Sequence, residues 1–178
     1  MTPMPAFSIR PARLGDEHAL FALVRALAEY ENLSHAVTGS AEKLAQDLFG
    51  PHAAAEALLA EVDNQPLAFA LFFHNYSTFL TQRGLYLEDI FVLPEHRGRG
   101  IGKALLSEVA NIARERGCGR LEWSVLDWNQ SAIDFYQSLG ANVLPDWRIC
   151  RVVGDGLQAL ADRALANRHL RSQPSGGG

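Results

Sequence analysis

The sequence predicts an α/β fold built on a mixed sheet, and three observations carry that reading. Short β-prone apolar runs alternate with amphipathic segments of helical period along most of the chain. Two of the runs, residues 57–62 and 67–74, flank Asp63-Asn64 as hairpin strands flank a tight turn. A third, residues 84–93, enters a glycine-laden turn and then an amphipathic helix, the start of a βαβ crossover.

Taken in order, residues 7–10 read as a first strand, ended by Pro11. Asp16 caps a helix over 17–31, with Leu20, Leu23, Val24 and Leu27 as its apolar stripe. Ser40 caps a second helix that runs through Phe49 and stops at Gly50-Pro51. The hairpin and the strand at 84–93 follow, then a helix over 100–116 ended by Gly117. Residues 121–126 read as a strand, 131–139 as a helix, 147–153 as a final strand, and 158–168 as an additional helix. The order is β-α-α-β-β-β-α-β-α-β, with no internal repeat.

Size and composition narrow the class. A chain of 178 residues suits one domain, taken as residues 1–170, with 171–178 a disordered Gly/Ser tail. The 48% apolar and 20% charged content is that of an ordinary globular protein, and no apolar run approaches a membrane span. The opening Met-Thr-Pro-Met-Pro lacks the blocks of a secretory signal, so a cytoplasmic location is expected. Cys118 and Cys150 read as buried thiols in a reducing compartment. No His/Cys/Asp cluster has metal-ligand spacing, so no metal is expected. A formal charge of −4 counts against a nucleic-acid partner and leans towards cationic ones.

The segment from Tyr86 to Gly102 is the most informative. Gly98, Gly100 and Gly102 remove side chains at alternate positions where backbone N–H groups must approach a ligand. A helix opening there aims unpaired N–H groups and a positive dipole end into the turn, which suits a phosphate. A P-loop is excluded: Ala104 follows Gly102-Lys103, and Arg97 stands five before Gly102. A dinucleotide fingerprint needs Gly-x-Gly-x-x-Gly, and the spacing here is Gly-x-Gly-x-Gly, although Glu122 lies at a fitting distance downstream. A glycine-rich surface turn that binds nothing is the plain alternative.

The remaining pattern is Arg97-x-x-Gly100-x-Gly102 after Leu87-Glu88-Asp89-Ile90-Phe91-Val92. In this it resembles the GCN5-related N-acetyltransferase (GNAT) family, whose corresponding turn cradles the pyrophosphate of acetyl-CoA. A second segment, Val125 to Tyr136, closes one strand and opens a helix capped by Asn129. Tyr136 lies two turns on, on roughly the same face. Alone, such a tyrosine reads as core packing with its hydroxyl on a carbonyl; the resemblance implies that it protonates the departing CoA thiolate. Tyr30-Glu31, Leu87-Glu88-Asp89 and Asp127-Trp128-Asn129-Gln130 narrow the resemblance to the diamine (spermidine/spermine) and thialysine acetyltransferase group, over residues 7–153.

The resemblance implies helices on both sheet faces and a fourth and fifth strand (84–93 and 121–126) that splay to admit the pantetheine arm. It implies coenzyme contacts at Ile90, Phe91, Val92, Arg97, Gly98, Arg99, Gly100, Ile101, Gly102, Lys103, Asn129, Ser131 and Ala132. Of these, the turn's backbone weighs more than Arg97, Arg99 and Lys103. His96 beside the turn reads more readily as solvent-facing than as a phosphate contact. Acceptor contacts are implied at Tyr30, Glu31, Glu88, Asp89 and, with a plain solvated reading favoured, Asp146.

The chemistry follows from the amine. An alkylammonium of pKa about 10.4 has no lone pair, and reaching its free form at neutral pH costs roughly 4–5 kcal/mol. A proton acceptor is needed, and Glu88 is the candidate, directly or through a water. Strand alternation puts Glu88 and Asp89 on opposite sides unless a bulge intervenes, and the resemblance implies such a bulge, which would let both serve one cleft. N–H groups of Ile90 to Val92 would polarise the thioester carbonyl. The expected activity is direct acetyl transfer to a primary amine of a small di/polyamine or thialysine-like amino acid. Peptide N-acetylation and a non-catalytic acyl-CoA-binding module stand as alternatives. A homodimer joined through C-terminal strands is implied by the resemblance.

Overall fold

The computed structural model describes residues 6–171, and the tail expected at 172–178 lies outside the described residues. The chain divides into two compact units, one ending at Leu126 and the other beginning at Asp127.

The first unit comprises β1 (Ser8–Pro11), α1 (Glu17–Tyr30), α2 (Ala41–Phe49), β2 (Glu56–Val62), β3 (Gln65–Ser77), β4 (Gln82–Val92), α3 (Ile101–Glu115) and β5 (Leu121–Trp123). Its strands form one sheet in chain order. The first three pairings are antiparallel and β4–β5 is parallel, so the class is α/β with a mixed, mostly antiparallel sheet. The β2–β3 hairpin turns through Asp63 (φ 50°) and Asn64 (φ 62°), the two positive φ angles that a two-residue turn of matching twist requires.

Both faces of the sheet are covered. Leu20 and Leu23 of α1 and Leu48 of α2 pack on Leu59, Phe69 and Phe91. Ile101, Leu105, Leu106, Val109 and Ala113 form the buried stripe of α3 at helical spacing, and α3 lies against β4, β3 and β2. Ala57 to Ala60 of β2 are buried without alternation, as a strand covered on both sides requires. Ser40 caps α2 as expected, its hydroxyl accepting from the Lys43 N–H at 3.2 Å. Asp16 does not cap α1. Its carboxylate instead takes two hydrogen bonds from the Arg10 guanidinium, at 2.7 and 3.0 Å, and one from the Arg13 N–H. A bidentate charged pair outweighs a single cap bond.

Strand β4 carries two irregularities. Leu71 pairs with Asp89 and Phe72 with Leu87, which leaves Glu88 as an extra, unpaired residue in a bulge. Paired residues share a face. Leu87 therefore sits with Phe72, while Asp89 sits with Leu71 on the α1/α2 side. The side-chain alternation is reset at Glu88, so Glu88 and Asp89 both turn towards α1. In addition, β5 is shorter than the run at 121–126 suggests. It pairs only with Leu85, Tyr86 and Leu87, so among the described residues β4 has no strand on its outer side from Glu88 onward.

The second unit holds α4 (Gln130–Ser138) and α5 (Gly154–Arg171). Gly140, at φ 92°, ends α4. The strand expected at 147–153 is not formed: residues 141–153 contain no strand, and Trp147, Ile149, Val152 and Val153 are exposed. Apolar β-prone residues supply propensity, but a strand exists only against a partner that takes its backbone hydrogen bonds. The last helix begins at Gly154 rather than at 158. Cys150 is exposed, not buried, and Cys118 is half-buried; both thiols are free.

Candidate active site

The turn between β4 and α3 is built for an anion. Leu93 N–H closes the sheet on Leu67 C=O, a single 3-10 turn (Pro94–His96) follows, and Gly98 (φ 73°) and Gly100 (φ 78°) take left-handed backbone. Gly100 is the N-cap of α3 and offers no side-chain acceptor. The helix ladder starts with Ala104 N–H on Gly100 C=O at 2.9 Å. The N–H groups of Ile101, Gly102 and Lys103 thus have no partner within the helix. A Cβ built on Gly98 or Gly100 would meet nothing within 4 Å, so the space in front of these residues is open. The first turn of α3 carries no acidic side chain, and Lys103 lies exposed there. Such a cradle fits a diphosphate.

The neighbouring cations are used differently. Arg99 Nη1 donates to His96 Nδ1 at 2.9 Å, which makes His96 a half-buried, bonded side chain rather than a solvent-facing one. The Arg97 guanidinium lies over the Tyr30 ring at 4.2 Å and 5.5 Å from the centre of the Phe91 ring. Its Nε donates to the Val92 carbonyl at 3.0 Å. Sequence reasoning points Arg97 at a phosphate and misses this stack. No spacing announces it, because Tyr30 ends α1 and Phe91 lies at the end of β4, far apart in the chain.

Beside the turn, Asp89 lies within the field of two other carboxylates. Burial, then the charges of Glu88 and Glu31, push the Asp89 carboxyl up to about 6. Burial also raises Glu31, which follows Tyr30 at the end of α1. Glu88 is exposed on the bulge and Asp89 is half-buried. Among the described residues no group of three or more His, Cys, Asp or Glu could hold a metal ion. A concentration of negative charge at an edge that no strand covers can draw in an ammonium group and take its proton. Glu122, at the distance a dinucleotide site would use, is instead bound to Asn75 and Arg120, each at 2.8 Å.

In the second unit, the Asn129 side chain caps α4, accepting from the Ala132 N–H at 3.2 Å and the Ser131 hydroxyl at 3.1 Å. Tyr136 is half-buried on the same helix, its ring 5.4 Å from that of Phe135. Asp146 is exposed in the irregular stretch before Trp147.

Residues 22–141 match the profile of the acetyltransferase (GNAT) family. The chain belongs to the GNAT family. Its relatives include thialysine N-epsilon-acetyltransferase from Bos taurus, 40% identical over 166 residues that cover 87% of this chain and 97% of that protein. L-ornithine N5-acetyltransferase from Arabidopsis thaliana is 52% identical over 92 residues, 52% of this chain and 40% of that one. Among solved structures, an integron cassette protein from the mobile metagenome of V. cholerae superposes with a TM-score of 0.74 at 28% identity, covering 87% of this chain and 97% of that one. The GNAT fold and an N-acetyltransferase activity follow from these findings.

Proposed function

We propose that the protein transfers the acetyl group of acetyl-CoA directly to a primary amine of a small diamine, polyamine or thialysine-like amino acid. The observation that carries this is the bulge at Glu88. It turns Glu88 and Asp89 to the side of Glu31, on the part of β4 that β5 leaves uncovered and just upstream of the glycine turn. Thialysine acetyltransferase relatives support an amine acceptor of this size.

The diphosphate rests on the N–H groups at Gly98 to Lys103, and the pantetheine amides run along Ile90, Phe91 and Val92 of β4, using the backbone groups of Ile90 and Val92 that point away from β3. Asn129, Ser131 and Ala132 at the start of α4 add further coenzyme contacts. Tyr30, Glu31, Glu88 and Asp89 hold the acceptor, and the carboxylates receive its proton as the nitrogen attacks the thioester carbonyl. The N–H groups of Ile90 and Val92, which point away from β3, stabilise the oxyanion. Tyr136 then gives a proton to the leaving thiolate, whose thiol has a pKa of about 8.5 in its cysteine-like free form. Residues 1–170 are read as one acetyltransferase domain, a reading supported by a family match that runs from residue 22 to 141.

The test is mass analysis of products from acetyl-CoA with putrescine, spermidine, thialysine, lysine and a peptide panel. Mono-acetylated small amines are expected, and Tyr136→Phe should lower kcat by about 10²-fold with acetyl-CoA affinity kept. Acetylated peptides with untouched diamines would overturn the acceptor assignment.

A further inference from the structure

Arg97 stands at the head of the Arg-x-x-Gly-x-Gly turn, yet its side chain is engaged with α1 and β4. Three contacts fix it. The guanidinium covers the Tyr30 ring at 4.2 Å, it lies 5.5 Å from the Phe91 ring centre, and its Nε donates to the Val92 carbonyl at 3.0 Å. Tyr30 and Phe91 are themselves 6.3 Å apart, tilted by 49°. One cation therefore ties the last residue of α1 to the last residues of β4.

The direction of the Val92 carbonyl gives this tie its meaning. The Leu93 N–H points to β3, where it bonds Leu67 C=O. Strand backbone alternates, so the polar groups of Val92 point away from β3, to the uncovered outer side. Arg97 takes the Val92 carbonyl on that side with its Nε. It holds Tyr30, and with it the following Glu31, by the face of its ring. Either contact is modest, but Arg97 makes both at once, and its guanidinium is flat enough to stack while its Nε donates.

We propose that Arg97 is a positioning residue for the amine acceptor rather than a phosphate ligand, and that it holds the Tyr30–Glu31 wall in register with the coenzyme strand. The proposal rests on the acetyl-transfer reading and deepens it. It sets Arg97 apart from the glycines of its own motif: they bind coenzyme, and Arg97 shapes the place where the second substrate sits.

The experiment combines calorimetric binding of acetyl-CoA with steady-state kinetics in the amine, for wild type, Arg97→Ala, Arg97→Lys, Tyr30→Phe, Tyr30→Leu and the double variant Arg97→Ala/Tyr30→Leu. Loss of a cation–π contact plus one hydrogen bond should raise the amine KM of Arg97→Ala by about 5- to 10-fold. Its acetyl-CoA Kd should stay within about 2-fold, as expected for a side chain held on the Tyr30 ring and the Val92 carbonyl. Tyr30→Phe keeps the ring and should leave the Arg97 effect in place. In Tyr30→Leu the further change to Arg97→Ala should do much less, because the stack is already gone. Arg97→Lys should fall between, keeping a charge over the ring while losing the Nε bond. A rise in acetyl-CoA Kd of tenfold or more with an unchanged amine KM would make Arg97 a phosphate ligand and overturn the proposal. So would strictly additive Arg97 and Tyr30 effects. Wild-type protein that binds acetyl-CoA but acetylates no amine would bring down the functional reading itself, and this proposal with it.

Discussion

Asp89 shows how much one residue inserted into a strand can change. In the unfolded chain its carboxyl ionises near 3.8; folded, it does so at about 6, chiefly because it is buried and next because Glu88 and Glu31 are near. Between those pH values the folded chain keeps a proton that the unfolded chain has released. Stability therefore declines as pH rises through that window, and above it the charged form costs about 3 kcal/mol. Asp89→Asn should accordingly melt about 8 °C higher than wild type at pH 8, the gain fading towards pH 4. The same titration should appear as the acid limb of kcat/KM for the amine, activity falling below about pH 6 in wild type, with the limb moved or lost in the variant. A limb unchanged in Asp89→Asn would remove Asp89 from the proton path. The acidic pair is legible in Leu-Glu-Asp-Ile-Phe-Val. The bulge that turns both members to one side is implied only by the resemblance, because register belongs to the partner strand, and β3 shows that Glu88 is the residue skipped.

Among the elements, those whose ends carry local chemistry are the most legible. Ser40 caps α2, Asp63-Asn64 makes the hairpin, Asn129 caps α4, and Gly100, Gly117 and Gly140 all take left-handed backbone at helix boundaries. Elements defined by pairing are less so: β5 stops three residues early, at Trp123. The glycine turn gives a sharp prediction at this scale. At φ 78°, Gly100 has room for a methyl group in the free protein, but not the right backbone preference for one. Gly100→Ala should cost about 1–2 kcal/mol of stability through strain alone. Its methyl would also occupy the space a phosphate needs, so coenzyme affinity should fall further than stability, by at least about tenfold.

For the whole molecule, the α/β class, helices on both faces and a mixed, mostly antiparallel sheet are all recoverable from periodicity and resemblance, and the GNAT membership bears them out. The last strand is not. Residues 147–153 have the composition of a strand but pair with no strand among the described residues, and Trp147, Ile149, Val152 and Val153 stand exposed. A second copy of the chain would cover such apolar surface, as the homodimer implied by the resemblance would. Sedimentation analysis should find a dimer that Trp147→Asp weakens; a fully active wild-type monomer would count against it. The central claim, however, is that backbone N–H groups at the glycine turn hold the diphosphate of acetyl-CoA. Calorimetric titration of acetyl-CoA into wild type and Gly100→Ala in parallel tests it most directly. The account predicts one saturable site in wild type and an affinity at least about tenfold weaker in a still-folded Gly100→Ala. Equal affinity in the two proteins, or no binding to wild type, would contradict it.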